Sequence, residues 1–117
     1  MKRILVVDDE ENIRMLYQEE LQEEGYEVVL ASNGIEALEA LAKEGPFDLV
    51  TLDIRMPGMD GINTVREIKE KYRDISVILV TAYGEYKQDF STWASDAYIV
   101  KSADLTELKA TIKSIIG

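Results

Sequence analysis

The chain contains neither cysteine nor histidine. Without thiols there is no disulfide, no thiolate nucleophile and no Cys-ligated metal. Without imidazole there is no His-ligated metal and no imidazole base. Any chemistry must therefore come from carboxylates, hydroxyls and lysine. Positive charge is also scarce: 13 Lys and Arg stand against 23 Asp and Glu, a net charge of −10. Such a balance repels a nucleic-acid backbone, so no direct nucleic-acid partner is expected. No apolar run approaches the roughly 18 residues of a membrane span, so no membrane partner is expected either. The opening Met1-Lys2-Arg3-Ile4-Leu5-Val6-Val7 superficially resembles a leader. Its apolar stretch is short and runs straight into Asp8-Asp9-Glu10, so it reads as a strand. The expected location is cytoplasmic.

A length of 117 residues suits one domain with a single core, read here as one unit over 1–117. Hydrophobic residues at 46% place the chain among globular rather than disordered sequences. Five short apolar runs stand out, at residues 3–8, 26–31, 48–53, 76–81 and 97–101. Ile4-Leu5-Val6-Val7 and Val77-Ile78-Leu79-Val80 are continuous rather than alternating, which suits strands of a parallel sheet buried on both faces. Helical spacing fills the intervals. The first stripe is Ile13, Leu16, Tyr17 and Leu21 over 11–24, and the second is Ile35, Leu38 and Leu41 after Ser32-Asn33-Gly34. The third is Ile62, Val65 and Ile68 after Met59-Asp60-Gly61, the fourth spans about 85–94, and the fifth begins near Ala103-Asp104 with Leu105, Leu108 and Ile112. Gly25 and Gly45 stand where helix C-caps belong. The alternation predicts an α/β fold, a five-stranded parallel sheet between two helical layers, with no segment left over for an effector domain.

In open sheets of this kind ligands bind beyond the carboxyl ends of the strands. Those ends carry Asp8-Asp9, Asp53, Thr81 and Lys101. Two carboxylates about 4 Å apart repel by roughly 4 kcal/mol at an effective dielectric of 20, so three together need a counter-charge. A hard divalent cation, Mg²⁺ or Mn²⁺, supplies it through oxygen ligands. Asp9 and Asp53 are the candidate ligands, with Asp8 reaching the ion through water and the backbone carbonyl at Arg55 completing the shell. With the ion bound, Asp53 can act as a carboxylate nucleophile toward phosphorus. Lys101 serves as a point charge on the phosphoryl group and Thr81 as a hydrogen-bond donor.

Asp8-Asp9, the stretch from Asp53 through Met56-Pro57-Gly58 to Gly61, Thr81-Ala82 and Lys101 occur in the order and on the elements of a known family. The chain resembles the receiver domain of two-component response regulators from residue 1 to about 116. Among its members it is most similar to the single-domain regulators of chemotaxis and of sporulation phosphorelays. The resemblance implies a flavodoxin-like (βα)5 fold with strand order 2-1-3-4-5. It implies that Asp53 accepts phosphate from the phosphohistidine of a sensor histidine kinase or a histidine phosphotransfer protein. It further implies that Thr81 and Tyr98 form the switch, and that a downstream protein target reads the face made by the fourth helix, fifth strand and fifth helix. The chain is expected to act as a monomer or weak dimer, promoting its own phosphorylation and dephosphorylation without being a turnover enzyme. Arg55 and Tyr83, two positions past Asp53 and Thr81, stand where they can gate water. Because the start of the first helix and the loop after the fifth strand meet the donor in this family, Ile13, Met15, Leu16 and Ser102 form an expected docking patch.

Two departures fall near the output face. Ser102 follows Lys101 where the family has proline, and a cis bond to serine would cost about 3 kcal/mol, so a trans path is expected. The spacing from Thr81 to Lys101 is shorter than the family's, which implies a shortened fourth helix. Alternatives are an interaction-only receiver and the receiver portion of a multidomain transcription regulator. An aspartyl phosphatase would need Asp-x-Asp-x-Thr after the first strand, where this chain has Asp8-Asp9-Glu10-Glu11-Asn12. A flavodoxin is disfavoured because an acidic first loop repels a cofactor phosphate. Taken singly, Asp8-Asp9 also reads as a helix cap, Tyr98 as a core aromatic and Trp93 as helix cover.

Overall fold

Because successive residues of a strand face opposite ways, the continuous apolar runs supply two core faces at once. The structure, a computed structural model, describes residues 1–53, 55–56, 59–81, 96–102 and 104–117, with the backbone alone at 55, 56, 59–62 and 81. The elements are β1 (Arg3–Val7), α1 (Glu11–Glu23), β2 (Glu27–Ala31), α2 (Gly34–Glu44), β3 (Leu49–Asp53), β4 (Arg55–Met56), β5 (Met59–Asp60), α3 (Gly61–Lys71), β6 (Ser76–Thr81), β7 (Ala97–Val100) and α4 (Thr106–Ile116). The main sheet runs β2-β1-β3-β6-β7 with every neighbouring pair parallel. In sheet strands this is the expected 2-1-3-4-5 order of a flavodoxin-like fold. A separate antiparallel pair, β4 with β5, was not foreseen.

Leu5, Val7, Val50, Leu52, Val77 and Leu79 form one core with Ala37, Ala40 and Leu41 of α2 and Val65 and Ile68 of α3. Ile4, Val6, Leu49, Ile78 and Val80 form the other with Tyr17 and Leu21 of α1 and Leu108 and Ile112 of α4. Each fully buried aliphatic side chain contributes roughly 1.5–3 kcal/mol, so these two layers carry the fold.

Two sequence expectations, on Ile35 and on the start of the last helix, are corrected. Ile35 does not join the core stripe of α2; it is 60% exposed. The buried face of α2 is Gly34, Ala37, Ala40 and Leu41, the first three small enough to let the helix lie close to the sheet. Gly45 does close α2, but in an extended conformation (φ −64°, ψ 171°), as a residue before proline prefers. A Cβ there would sit 2.7 Å from the Leu41 carbonyl oxygen, so close approach requires this glycine. Gly25, at φ +95°, is the left-handed residue just past the α1 C-cap, Glu24. The last helix starts at Thr106, later than expected, because Asp104 Oδ1 accepts from Thr106 N (2.9 Å) and Thr106 Oγ1 (2.6 Å) and holds the entering turn. The helix expected at 85–94, Tyr83 and Trp93 lie outside the described residues.

The amino end of the sheet is tied by one side chain. Arg3 donates from Nε to Glu27 and from Nη1 to the carbonyls of Glu44 and Pro46, and its guanidinium lies 4.5 Å from the Phe47 ring centroid. Its backbone N–H donates to Asp48 Oδ2 at 2.8 Å.

Candidate functional site

Register decides what meets at the carboxyl edge. Val7 pairs with Leu52, Asp53 with Val80, and Thr81 with Val100. Asp8, Asp53, Thr81 and Lys101 therefore leave the sheet along one edge, at the place where strand order reverses between β1 and β3.

Lys101 is the hub. Its Nζ lies 2.8 Å from Asp8 Oδ2 and 3.8 Å from Glu10 Oε2, and donates to Asp53 Oδ2 at 3.0 Å. Asp8 and Asp53 are buried, and the Lys101 side chain is only 14% exposed. Burial alone would drive the lysine toward its neutral form, but the Asp8 and Asp53 carboxylates outweigh it and hold the ammonium well above the ordinary lysine range. Burial likewise pushes the Asp8 carboxyl up, with Lys101 and the Glu10 N–H pulling it back.

Asp8 serves both the turn and the cluster. Oδ1 accepts from Glu10 N at 2.9 Å and Oδ2 pairs with Lys101, while the Asp8 carbonyl accepts from Arg14 Nη1 at 2.7 Å. The expected helix-cap reading is thus half right: the side chain holds the turn before α1, and the N-cap position itself is Glu10. Glu10, not singled out from the sequence, adds a third acidic group beside Lys101.

Asp8, Asp9 and Asp53 each offer a carboxylate oxygen, all within 4.8 Å of one another. Two oxygens on opposite sides of one Mg²⁺, each about 2.1 Å away, stand about 4.2 Å apart, so the donor set fits a hard divalent cation with little adjustment. Three carboxylates against one ammonium leave negative charge for that ion to balance.

The remaining expected residues divide. Ile13 and Leu16 are half-buried against the α1–α4 core, Met15 is 57% exposed and Ser102 is exposed. Tyr98 is half-buried and packs on the opposite core, beneath α2 and α3. Arg55 lies in β4 opposite Asp60, and Thr81 closes β6. Among the described residues the cis bond is Gly45–Pro46; Lys101–Ser102 is trans, as expected for serine, and Lys101 still reaches both carboxylates.

The family model for the response regulator receiver domain matches residues 4–113. The chain belongs to this family. The receiver is 38% identical to sporulation initiation phosphotransferase F of Bacillus subtilis (strain 168), over 98% of this chain and 94% of that protein. The crystal structure of response regulator TrrA from Thermotoga maritima in complex with Mg²⁺–BeF matches with a TM-score of 0.92 at 54% identity, covering 99% of this chain and 100% of that one. TrrA in complex with histidine kinase ThkA matches at a TM-score of 0.90 and 54% identity, with 100% of both chains covered. A probable transcriptional regulator, ycf27 of Pyropia yezoensis, is 42% identical over 98% of this chain, which spans 47% of that relative. The receiver is a phosphoacceptor response regulator, a signalling module of two-component phosphorelays. None of the described helices is long and apolar enough to cross a membrane.

Proposed function

We propose that Asp53 is the phosphoacceptor and that residues 1–117 work as one receiver unit. The observation that carries this is Lys101 Nζ held between Asp8 and Asp53, with Asp9 in the same cluster. Asp8, Asp9, Asp53 and the backbone carbonyl at Arg55 would hold Mg²⁺ or Mn²⁺. The bound ion supplies charge neutralisation on phosphoryl oxygens. An Asp53 carboxylate oxygen forms a bond to phosphorus as the bond from phosphorus to the donor imidazole breaks, and the donor histidine leaves neutral after taking up a proton. Lys101, already cationic and already at Asp53, offsets the arriving charge. Thr81 donates to a phosphoryl oxygen and, with Tyr98, forms the switch. The same groups support self-phosphorylation from small donors and self-hydrolysis, with Arg55 and Tyr83 gating water, and no turnover of a separate substrate.

Having no histidine, the chain takes its phosphoryl group from a partner, a sensor histidine kinase or a histidine phosphotransfer protein. TrrA's complex with ThkA supports the former. Ile13, Met15, Leu16 and Ser102 form the docking patch, the exposure of Met15 being its clearest sign. The signal passes to a downstream protein through the face around β7 and α4, from a cytoplasmic monomer or weak dimer.

The test is incubation with Mg²⁺ and acetyl phosphate followed by intact-mass measurement. A gain of about 80 Da for one added phosphoryl group is expected, absent in Asp53→Ala. No gain in the wild type would favour an interaction-only receiver, and a gain that survives in Asp53→Ala would move the acceptor elsewhere.

A further inference from the structure

β7 stands at one end of the sheet, beside β6, and has four residues. Of these Ile99 is the buried one. Apolar pattern fixes the register of a strand, and a single buried side chain specifies it weakly. Register nevertheless has a consequence here. Lys101 is the residue directly after β7, and its Nζ stands within 3.0 Å of both Asp8 Oδ2 and Asp53 Oδ2. One residue of slip would carry its backbone about 3.3 Å along the strand and turn its side chain to the other face.

Asp96, immediately before β7, supplies what the apolar pattern lacks. Its N–H donates to the Val77 carbonyl at 2.8 Å, and its Oδ2 accepts from Val77 N at 2.7 Å. Both backbone polar groups of one buried residue thus meet the same aspartate. The pair extends the ladder one step before Ile78 and Ala97, with a carboxylate oxygen standing where a strand carbonyl would be. Lys69 of α3 completes the arrangement: its Nζ donates to Asp96 Oδ2 at 3.2 Å and to the Ile75 carbonyl at 2.8 Å. The helix, the entry to β6 and the entry to β7 are therefore joined at one oxygen atom. The Asp96 side chain is 38% exposed, so solvent screens the ion pair, and the acceptor's geometry carries the effect. A side chain without an acceptor at position 96 would leave the Val77 N–H unpaired, and a shifted β7 could then compete with the native register.

We propose that Asp96 is a positioning residue for phosphoryl transfer: by fixing the register of β7 against β6, it sets where Lys101 leaves the sheet. It acts from the opposite edge, through five residues of chain or roughly 16 Å of extended backbone. The proposal rests on the reading of Asp53 as the phosphoacceptor with Lys101 beside it.

Two measurements on the full chain test it. One is the Lys101 ammonium signal in a ¹H–¹⁵N spectrum, assigned by its absence in Lys101→Met. The other is the rate of labelling by acetyl phosphate with Mg²⁺, followed by intact mass. Asp96→Ala is expected to weaken or move the Lys101 signal and to slow labelling roughly three- to ten-fold, the population shift that one hydrogen bond supports. Asp96→Asn keeps an acceptor for Val77 N and should recover most of both. A folded Asp96→Ala protein with an unchanged Lys101 signal and an unchanged rate would overturn the proposal, even if its urea midpoint fell. So would an Asp96→Asn protein as impaired as Asp96→Ala. Should Asp96→Ala fail to fold, Lys69→Met decides by the same two readouts, a smaller loss in the same direction being expected and no change overturning the idea. Wild-type protein that takes no label counts against Asp53 as acceptor, and the Lys101 signal then decides alone whether Asp96 places the lysine.

Discussion

Lys101 and Asp53 stand 48 residues apart in sequence and 3.0 Å apart in space, joined by a bond between a part-buried ammonium and a buried carboxylate. The two partners of such a pair are not equivalent. Removing the cation takes from Asp8 and Asp53 the ammonium they share, whereas removing Asp53 leaves Lys101 still paired with Asp8.

Lys101→Met is therefore expected to destabilise the metal-free protein by roughly 3–5 kcal/mol, the cost of breaking a buried ion pair by removing one partner. Asp53→Asn is expected to melt at or above the wild-type temperature, since it removes one of three mutually repelling carboxylates. Thermal melts in chelator, beside intact-mass labelling, separate the effects. A Lys101→Met protein that melts like wild type would show that the ammonium contributes little there.

Divalent cation binding should appear as stability. At a Mg²⁺ concentration about 100-fold above its dissociation constant, mass action adds roughly 2.7 kcal/mol to a native state that alone binds the ion. A rising melting temperature with added Mg²⁺, reversed by chelator and absent with sodium chloride of equal ionic strength, is the expected result. Asp9→Asn should blunt it, because Asp9 is the exposed member of the donor set. An unchanged Asp9→Asn response would remove that residue from the ligand list.

The alkaline limb should report Tyr17. Its folded pKa is raised from 10.0 to about 12, chiefly by burial. A group raised in the folded state contributes stability that is fully present below its unfolded pKa and is lost as pH rises through the folded value. Between about pH 10 and 12 wild type should therefore lose stability faster than Tyr17→Phe. Parallel denaturant midpoints for the two proteins across that window would contradict the assignment.

At the acid end, Glu36 is the group to follow. Hydrogen bonds from Ser32 Oγ and Ser32 N to Glu36 Oε1 hold its carboxyl below the usual range. Its contribution is present above the unfolded carboxylate pKa and is lost as pH falls through the depressed folded value. The stability gap between wild type and Glu36→Gln should therefore close on acidification. The neighbouring cap, Asn33 Oδ1 accepting from Glu36 N at 2.8 Å, should cost about 1 kcal/mol when Asn33 becomes alanine, at any pH. Urea midpoints at neutral and acidic pH test both statements.

The parts of the structure legible in sequence were those that depend on chain-wide pattern. Doubly buried strands leave continuous apolar runs, and the sheet order followed from alternation of strand and helix together with the family resemblance. The sequence also singled out Asp8, Asp9, Asp53 and Lys101, whose side chains the register brings to one edge. What pattern could not supply was contact. Ile35 looked like core because large apolar residues dominate a stripe, while the face in use is made of Gly34, Ala37 and Ala40, whose small size carries no hydrophobic signal of its own. Glu10 was one of many acidic residues and became notable only through Lys101. The direct pairing of Asp8 with the lysine was likewise not foreseen.

Arg3 gives the molecule a polarity of stiffness. One guanidinium gathers β2, the tail of α2 and the Phe47 ring at the hem of the sheet, while the opposite rim is strung on carboxylates that repel unless something balances them. A substitution at the rim therefore leaves the Arg3 contacts of the lower edge in place. Loops at the rim can be re-tuned to new clients without loosening the seam that keeps the layers together.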